Sequence, residues 1–470
     1  MSGLFASLSS SVNALSAQSR AVEITGKNLA NVNNAHYARQ RVIFGDRGVV
    51  ETAQGPESMG LVALGVEQLR DSLLDQQVLR EVALTSGDQA EQQAYQRAQA
   101  GLGQSVNSAA GASGSSSASD NGIAAALDDL FNGFQSLAAN PTDTGQRQGL
   151  LQKATILTDR LQSADQRLSQ IQTDLNSQIG TDATSVNQLL QTIADLNSQI
   201  GRFEINLPGS AVDLRDQRQA ALEQLAAKIP IDVVNSTPSQ IKVVAKDSTG
   251  ASVVLVDLAT VQGSIAFSGT QITGGASATP LALAGGSMQG ALIARDGAVQ
   301  DLRANLDALA AQLVTSVNGA YNPTGSTGDF FTAANTTAGT ISVASGVTSA
   351  TLKASDGGSA GDNTVALAIT QLANHNFSIG SGDAINGSFS AHFANTVSSL
   401  GQALAGANAR VDNQTQIEQI VRTQRDGVSG VSLDEEMADL LKYQRAFQAS
   451  SRVFTTIDDL LDTVVNRLGK

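Results

Sequence analysis

Two long amphipathic helices are predicted at the ends of the chain. Near the N-terminus, apolar residues recur at alternating steps of three and four, the spacing of one face of an α-helix. The segment from Ser432 to Leu468 has a similar helical spacing. The two predicted stripes consist of Phe5, Leu8, Val12, Leu15, Val22 and Leu29, and of Leu433, Met437, Leu440, Leu441, Phe447, Phe454, Ile457, Leu461, Val465 and Leu468. Because both stripes are narrow, long and terminal, core packing and a coiled coil between subunits are about equally favoured.

The middle of the chain has a different pattern. β-branched runs separated by Gly, Ser, Thr and Pro follow Pro230 and continue to about Gly285, which predicts a small β domain. Helical spacing covers most of residues 71–229, interrupted at 105–122 by a Gly/Ser-rich stretch that is predicted to be a flexible link. The predicted fold is therefore mainly α with an inserted small β domain, long terminal helices forming a coiled-coil-like axial domain, and a helical-bundle middle domain.

These patterns divide the chain into four predicted parts. The boundaries are 1–45 and 430–470 for the terminal axial helices, 46–229, 287–321 and 388–429 for the helical-bundle domain, 230–286 for the outer β domain, and 322–387 for an irregular segment with short strands attached to the helical domain.

The start of the last helix has a strong sequence signature. Ser432 followed three residues later by Glu435 fits a capping box, in which each side chain binds a free backbone N–H group at the helix N-terminus. We therefore expect both side chains to cap the helix.

Composition and charge narrow the function classes. The chain has 470 residues, a net charge of −14, no Cys, no Trp and three His. An acidic chain lacks the clustered cations that bind phosphate, so no nucleic-acid partner is expected. No apolar run is long enough for a transmembrane helix, and the N-terminus lacks the features of a cleaved signal peptide. We expect no membrane insertion, and a location in the cytosol or export without a cleaved signal.

No motif predicts catalysis. Residues 357–361 match GxSxG, but no buried strand precedes them, so we interpret them as a Gly-rich loop rather than a nucleophile elbow. The nearby stretch from Asp356 to Asn363 is a weak match to a calcium turn, and the three His lie in separate segments. The charged run from Asp213 to Arg218 is interpreted as a solvated helix start with local ion pairs. We predict no catalytic, cofactor or metal site.

Two terminal motifs carry a resemblance to a known family. Residues 28–40, NLANVNNAHYARQ, resemble the motif that follows the first helix in flagellar rod, hook and hook-associated proteins, with Asn28, Ala30, Asn31 and Tyr37 as the matching positions. The chain departs from that motif at Asn34 and His36, where the family usually has Thr and Gly. If the family's Gly supplies a positive-φ turn, Asn34 is the residue expected to replace it.

The C-terminal motif and the order of the middle motifs narrow the resemblance. Residues 430–437 and 440–449, GVSLDEEM and LLKYQRAFQA, look like the closing motif of the hook-associated protein 1 family. Asn140-Pro141, the run from Asp213 to Arg218, the helix start at Gly286 and Gly361-Asp362-Asn363 follow in the family's order.

This resemblance implies a structural role and no enzymatic activity. It implies self-assembly into a ring or helical array at the hook–filament junction, in contact with hook protein and hook-associated protein 3. It also implies type III export without a cleaved signal, an export chaperone on the C-terminal helix, and an extracellular location in the flagellum. Two alternatives remain: another axial flagellar protein similar to hook-associated protein 3, or a secreted coiled-coil adhesin.

Overall fold

The fold was analysed in a computed structural model. It describes residues 2–46, 48–52, 55–58, 60–102, 122–237, 239–325, 328–357 and 361–463. The predicted link at 105–122 therefore lies outside the described residues except for Gly122, as do Val465 and Leu468.

The described residues form ten α-helices and eleven β-strands. The helices are α1 (Ser2–Ala30), α2 (Ser72–Gly101), α3 (Ile123–Ala139), α4 (Thr144–Phe203), α5 (Val212–Ala226), α6 (Ser287–Ala294), α7 (Gln300–Tyr321), α8 (Thr364–Leu372), α9 (Phe389–Ser429) and α10 (Leu433–Asp462). The strands are β1 (Gln40–Asp46), β2 (Val49–Thr52), β3 (Gly55–Ser58), β4 (Leu61–Gln68), β5 (Asp232–Asn235), β6 (Ile241–Lys246), β7 (Ser252–Asp257), β8 (Thr260–Val261), β9 (Ala266–Phe267), β10 (Ile272–Gly274) and β11 (Thr279–Pro280). The predicted fold class, mainly α with a small β region, is confirmed.

The chain folds into two compact units. Residues 1–86, 182–286 and 414–470 form the first, and residues 87–181 and 287–413 form the second. The strands between 230 and 286 therefore belong to the same unit as both chain ends. The four-part division given above, with residues 230–286 as a separate outer domain, remains a prediction.

The first unit combines a terminal helix pair with small antiparallel sheets. Helix α1 packs along α10 and against the hairpin of β1 and β4. Strands β5, β6, β7 and β8 form a four-stranded sheet in that order, and β9, β10 and β11 form a three-stranded one. The sheets bury β-branched and leucine side chains such as Val243 and Leu255, each with 0% of its surface exposed. Burial of such side chains is the main stabilising term in a small sheet.

The second unit has an aromatic core. Phe134, Tyr321 and Phe330 are among its largest fully buried side chains, and the ring centroids of Phe134 and Phe330 lie 5.2 Å apart. Phe331 meets Phe330 edge to face at 4.9 Å. Such ring pairs contribute about 0.5–1.5 kcal/mol beyond the area that they bury.

One glycine at the boundary of the β region is required by its backbone. Gly286 has a φ of +86°, where a side chain is strained, and a Cβ atom there would collide with the backbone carbonyl of Lys228. Its N–H donates to the carbonyl of Ala83 at 2.6 Å. Gly286 therefore holds the chain close to two other backbone segments just before α6 begins.

Candidate functional site: the polar junction between the chain ends

A buried polar junction joins the two ends of the chain. We define the terminal junction as Asn28, Tyr37, Arg39, Gln40 and Glu436. Asn28 lies near the end of α1, where Asn31 donates from Nδ2 to the carbonyl of Lys27 at 2.9 Å and satisfies one of the free carbonyl groups at the helix end. The chain then turns back into β1, which brings Tyr37, Arg39 and Gln40 alongside Asn28, whereas Glu436 is contributed by α10.

Asn28 is the centre of this junction. Its Nδ2 donates to Glu436 Oε2 at 2.9 Å and to the carbonyl of Gln40 at 2.8 Å. Its Oδ1 accepts from the Tyr37 hydroxyl at 2.8 Å and from the backbone N–H of Gln40 at 3.0 Å. The amide thus uses both donor hydrogens and both acceptor positions, and only 2% of Asn28 is exposed.

Arg39 adds a charged contact to α10. Its Nε donates to Glu436 Oε1 at 2.7 Å, and its Nη1 donates to Glu435 Oε2 at 2.6 Å. The Glu436 side chain is 3% exposed, whereas that of Glu435 is 63% exposed. Desolvation opposes the charge of Arg39, but its hydrogen bonds and the charges of the two glutamates raise its pKa. The Arg39–Glu436 pair is therefore a charge-assisted link between the chain ends whose carboxylate is buried.

Burial also fixes the protonation state of Tyr37. Desolvation, reinforced by the charges of Asp216 and Asp213, raises the pKa of the Tyr37 hydroxyl. The hydroxyl therefore stays protonated at physiological pH and keeps donating to Asn28.

The predicted capping box is wrong. Ser432 occupies the N-cap position of α10 but makes no side-chain capping hydrogen bond, and the Glu435 side chain bonds Arg39. The Arg39 guanidinium therefore binds the carboxylate that the capping box would have used.

The predicted turn role of Asn34 is also wrong. Outside glycine, Leu258 and Ala278 are the described residues with positive φ, so Asn34 is not in that region. Its Oδ1 instead accepts from the backbone N–H of His36 at 3.2 Å. This local side-chain turn shapes the loop without a left-handed residue.

The charged side chains from Asp213 to Arg218 pair with residues of other segments, so their interpretation as a solvated helix start with local ion pairs is wrong, although Asp213 itself is exposed and only Arg218 is buried. Asp216 Oδ1 accepts from Arg70 Nη2 at 2.7 Å and from the backbone N–H of Ala38 at 3.3 Å. Asp213 Oδ1 accepts from Gln40 Nε2 at 3.2 Å. The start of α5 packs against β4, so its charges find partners that are distant in sequence.

A second charged cluster ties α9 to the loop after α1. Glu223, whose side chain is 4% exposed, accepts from Arg425 Nη1 at 2.7 Å and from Arg422 Nη1 at 3.0 Å. Arg425 Nη2 also donates to the carbonyl of Ala35 at 2.9 Å. Desolvation raises the pKa of Glu223, but the charges of the two arginines outweigh it and the net pKa is lowered.

The predicted N-terminal stripe is only partly covered. Leu8, Leu15, Val22 and Leu29 are half-buried, and Val12 is 47% exposed. The buried apolar residues of α1 are instead Ala17, Ala21 and Ile24. Ala30 is exposed, and the side chain of Phe5 lies outside the described part of the chain.

The predicted C-terminal stripe divides into two parts. Leu440, Phe454 and Ile457 are half-buried, and Leu461 is 8% exposed. The remaining described positions stay exposed after α10 has packed on α1: Leu433 at 51%, Met437 at 43%, Leu441 at 55% and Phe447 at 40%. Leu433, Met437 and Leu441 are four residues apart and so lie in one row on the helix surface. Phe447 does not continue these four-residue steps, but at about 100° per residue it lies on the same side of the helix, and we call these four exposed residues the α10 row.

Sequence reasoning missed most of the junction. Arg39 and Glu436 lie inside the two quoted motifs, but their partnership was not predicted, and Arg70, Glu223 and Arg425 were not singled out. The available signal was the opposite charge of the two motifs.

Within the described part of the chain, no group of three or more His, Asp or Glu side chains is placed to hold a metal ion. No described helix combines the length and the apolarity that a membrane span requires.

Two family models match separate parts of this architecture. Residues 114–331 match the "Flagellar hook-associated protein FlgK helical domain", and residues 426–468 match the "Flagellar basal body rod FlgEFG protein C-terminal" family. Over the full length, the chain is 25% identical to flagellar hook-associated protein 1 of Bacillus subtilis, covering 100% of this chain and 99% of the relative. The chain is therefore similar over its whole length to flagellar hook-associated protein 1. It is therefore a structural component of the bacterial flagellum.

Other members of the family match over a shorter range. Flagellar hook-associated protein 1 of Escherichia coli is 23% identical over 48% of this chain and 39% of the relative. A solved structure, the flagellar hook junction protein FlgK from Burkholderia pseudomallei, is 25% identical with a TM-score of 0.44, over 52% of this chain and 43% of that chain.

Proposed function

We propose that the chain is a subunit of the junction between the flagellar hook and the filament. Copies of it assemble into a ring or helical array through the apolar stripes of α1 and α10. A contact between two different surface patches of one subunit generates such arrays without requiring a closed dimer.

The observation that carries the proposal is the α10 row. Leu433, Met437, Leu441 and Phe447 remain 40–55% exposed although α10 already packs on α1. A row of large apolar side chains in water is the usual signature of a protein contact surface. The terminal junction supports the proposal, because it fixes α10 on α1 through polar bonds and leaves this row available for a neighbour.

The proposed role is structural and not catalytic. The charged groups of the terminal junction and of the Glu223 cluster pair with one another, and these contacts position helices. This use of charged groups differs from a catalytic centre, where such groups converge on an open pocket.

The proposed partners follow the same surfaces. They are further copies of this chain, hook protein on one side and hook-associated protein 3 on the other. Before assembly, an export chaperone would cover the C-terminal helix, because an amphipathic helix has one apolar face to offer. The chain would leave the cell through the flagellar type III pathway without cleavage of its N-terminus, and its final location would be extracellular.

A charge placed in the α10 row tests this function. In a strain lacking the native copy, Leu441→Asp should abolish filament attachment, because an unpaired carboxylate buried between subunits costs several kcal/mol. Export is measured alongside as the amount of protein in the culture medium, because Leu441 also lies on the apolar face that we propose the chaperone covers.

Lys442→Asp is the matched control. The Lys442 side chain is 72% exposed and adjacent in sequence, so this variant introduces the same carboxylate outside the row and should support normal filaments. Normal swimming and filament length with Leu441→Asp would show that the row is not an assembly surface.

A further inference from the structure

A cavity of about 850 Å³ lies in the first unit between β4, β5, α5 and the loop that follows α4. Its lining combines apolar, neutral polar and charged side chains, and the two carboxylates in it are already paired, Glu67 with Arg41 and Asp75 with Arg70. Exposed apolar side chains are contributed by Ile43, Leu64 and Leu207, which are 39%, 54% and 45% exposed. Arginine side chains come from Arg70, Arg215 and Arg218.

Arg218 differs from the other two arginines. Arg70 pairs with Asp75 and Asp216, and Arg215 pairs with Glu204 at 2.6 Å. Arg218 is 8% exposed, and among the described residues no carboxylate lies within 4 Å of it. Its Nη1 donates to Asn197 Oδ1 at 2.7 Å and to the carbonyl of Ser239 at 3.1 Å.

Arg218 therefore has no directly paired carboxylate, and the charge of Glu204 acts on it only from a longer distance. Desolvation, together with the neighbouring charge of Arg215, lowers the pKa of Arg218 to about 10, so the guanidinium remains protonated at physiological pH. A buried cation is costly unless a carboxylate pairs with it. Its Nε and Nη2 make no hydrogen bond to the described residues, which leaves the fork geometry that binds a carboxylate through two parallel bonds.

A strand edge lies beside this guanidinium. Strand β5 is at the edge of its sheet, with β6 on one side, and Val233 and Asn235 line the cavity. The carbonyl of Val233 already accepts from Gln76 Nε2 at 3.1 Å, so a peptide that binds along this edge would replace that side-chain hydrogen bond. An edge strand of this kind accepts an extended peptide by main-chain hydrogen bonding, while side-chain pockets select its sequence.

We propose that this cavity binds an extended segment of another protein in which one acidic residue lies between apolar residues. The carboxylate pairs with Arg218, the flanking apolar side chains pack on Leu64 and Leu207, and the peptide backbone lies along β5. A volume of about 850 Å³ is within the usual range for ligand sites, roughly 300–1,000 Å³. This inference goes beyond the junction role and does not depend on it.

Two synthetic peptides test the proposal on the full chain. The probe is fluorescein-labelled Val-Leu-Asp-Leu-Val with an amidated C-terminus, and its partner has Asn in place of Asp. Fluorescence anisotropy should give micromolar binding of the Asp peptide and at least about tenfold weaker binding of the Asn peptide, since a hydrogen-bonded charge pair is lost.

Two variants locate the binding site. Arg218→Gln should weaken binding of the Asp peptide by at least about tenfold. Leu207→Asp should weaken it as well, and because Leu207 is exposed this variant tests the site even if Arg218→Gln fails to fold. Arg445→Gln, an exposed arginine on α10, is the control and should bind normally. Equal binding of the two peptides, normal binding by the Leu207→Asp variant, or no saturable binding up to about 1 mM would overturn the proposal.

Discussion

Replacing Glu436 by Gln should loosen the two chain ends from each other. The glutamine keeps the shape of the side chain but loses its charge, and its amide group must face one of two donors, Arg39 Nε at 2.7 Å or Asn28 Nδ2 at 2.9 Å. A hydrogen bond to a charged group contributes about 1.5–3 kcal/mol in a protein. Arg39 keeps Glu435, but that exposed pair contributes only about 0–1 kcal/mol. We therefore expect a loss of about 2–3 kcal/mol.

Hydrogen exchange measures this loss locally. Amides of α1 and α10 should exchange about 30- to 100-fold faster in Glu436→Gln, since about 1.4 kcal/mol corresponds to tenfold. Amides of α3, in the second unit, serve as an internal reference and should be unchanged. A local measurement is preferable because a chain with two compact units need not unfold in a single step.

The adjacent glutamate provides the matched control. Glu435→Gln makes the same chemical change at a side chain that is 63% exposed, and it should alter protection by less than about 1 kcal/mol. Equal effects of the two variants, or unchanged protection in Glu436→Gln, would refute the assignment of Glu436 as the buried link between the chain ends.

Three further predictions concern other parts of the molecule. Desolvation raises the pKa of Glu204, but the hydrogen bonds from Arg215 and Ser239 outweigh it and lower this pKa from 4.5 to about 2. The stabilisation of the folded state by ionised Glu204 is therefore fully present above pH 4.5 and is lost as the pH falls through about 2. In urea unfolding, Glu204→Gln should be about 3 kcal/mol less stable than the original protein at pH 7, and this difference in the free energy of unfolding should become smaller in acid. A difference that does not change with pH would contradict this prediction. Gly286→Ala should destabilise the first unit by more than about 1 kcal/mol in thermal unfolding, because the new methyl group collides with the Lys228 carbonyl and the residue has a positive φ. Gly250→Ala is the control: its φ is also positive but its methyl group meets no atom, so it should be less destabilising. Phe454→Asp should lose co-purification with the export chaperone, whereas the exposed neighbour Thr455→Asp should keep it; retained binding of the chaperone by Phe454→Asp would place the contact elsewhere.

The sequence predicted the elements better than it predicted their contacts. Helical spacing located α1 and α10, and β-branched runs located the strands after Pro230, because both signals are local. The capping box at Ser432 also used local logic, and it was wrong because Arg39, almost 400 residues away, takes Glu435. The charges from Asp213 to Arg218 were misjudged for the same reason, since their partners come from other segments.

The stripes illustrate a second limit of sequence reasoning. Their spacing identifies an apolar face, but it does not tell which positions are used inside the subunit. In the structure, Leu461 is buried while Leu441 is exposed, although both belong to one predicted stripe. The difference depends on how α1 and α10 pack, and the small residues Ala17 and Ala21 of α1 are buried although they do not appear in a stripe of large side chains.

The position of the chain in the flagellum tests the central claim most directly. Electron cryo-microscopy of intact flagella from the source bacterium should resolve the boundary between hook and filament. The account predicts that the chain fits the density at this boundary, with Leu433, Met437, Leu441 and Phe447 of α10 packed against a neighbouring subunit. Density that places this chain along the filament, or at the boundary with those four side chains facing solvent, would contradict it.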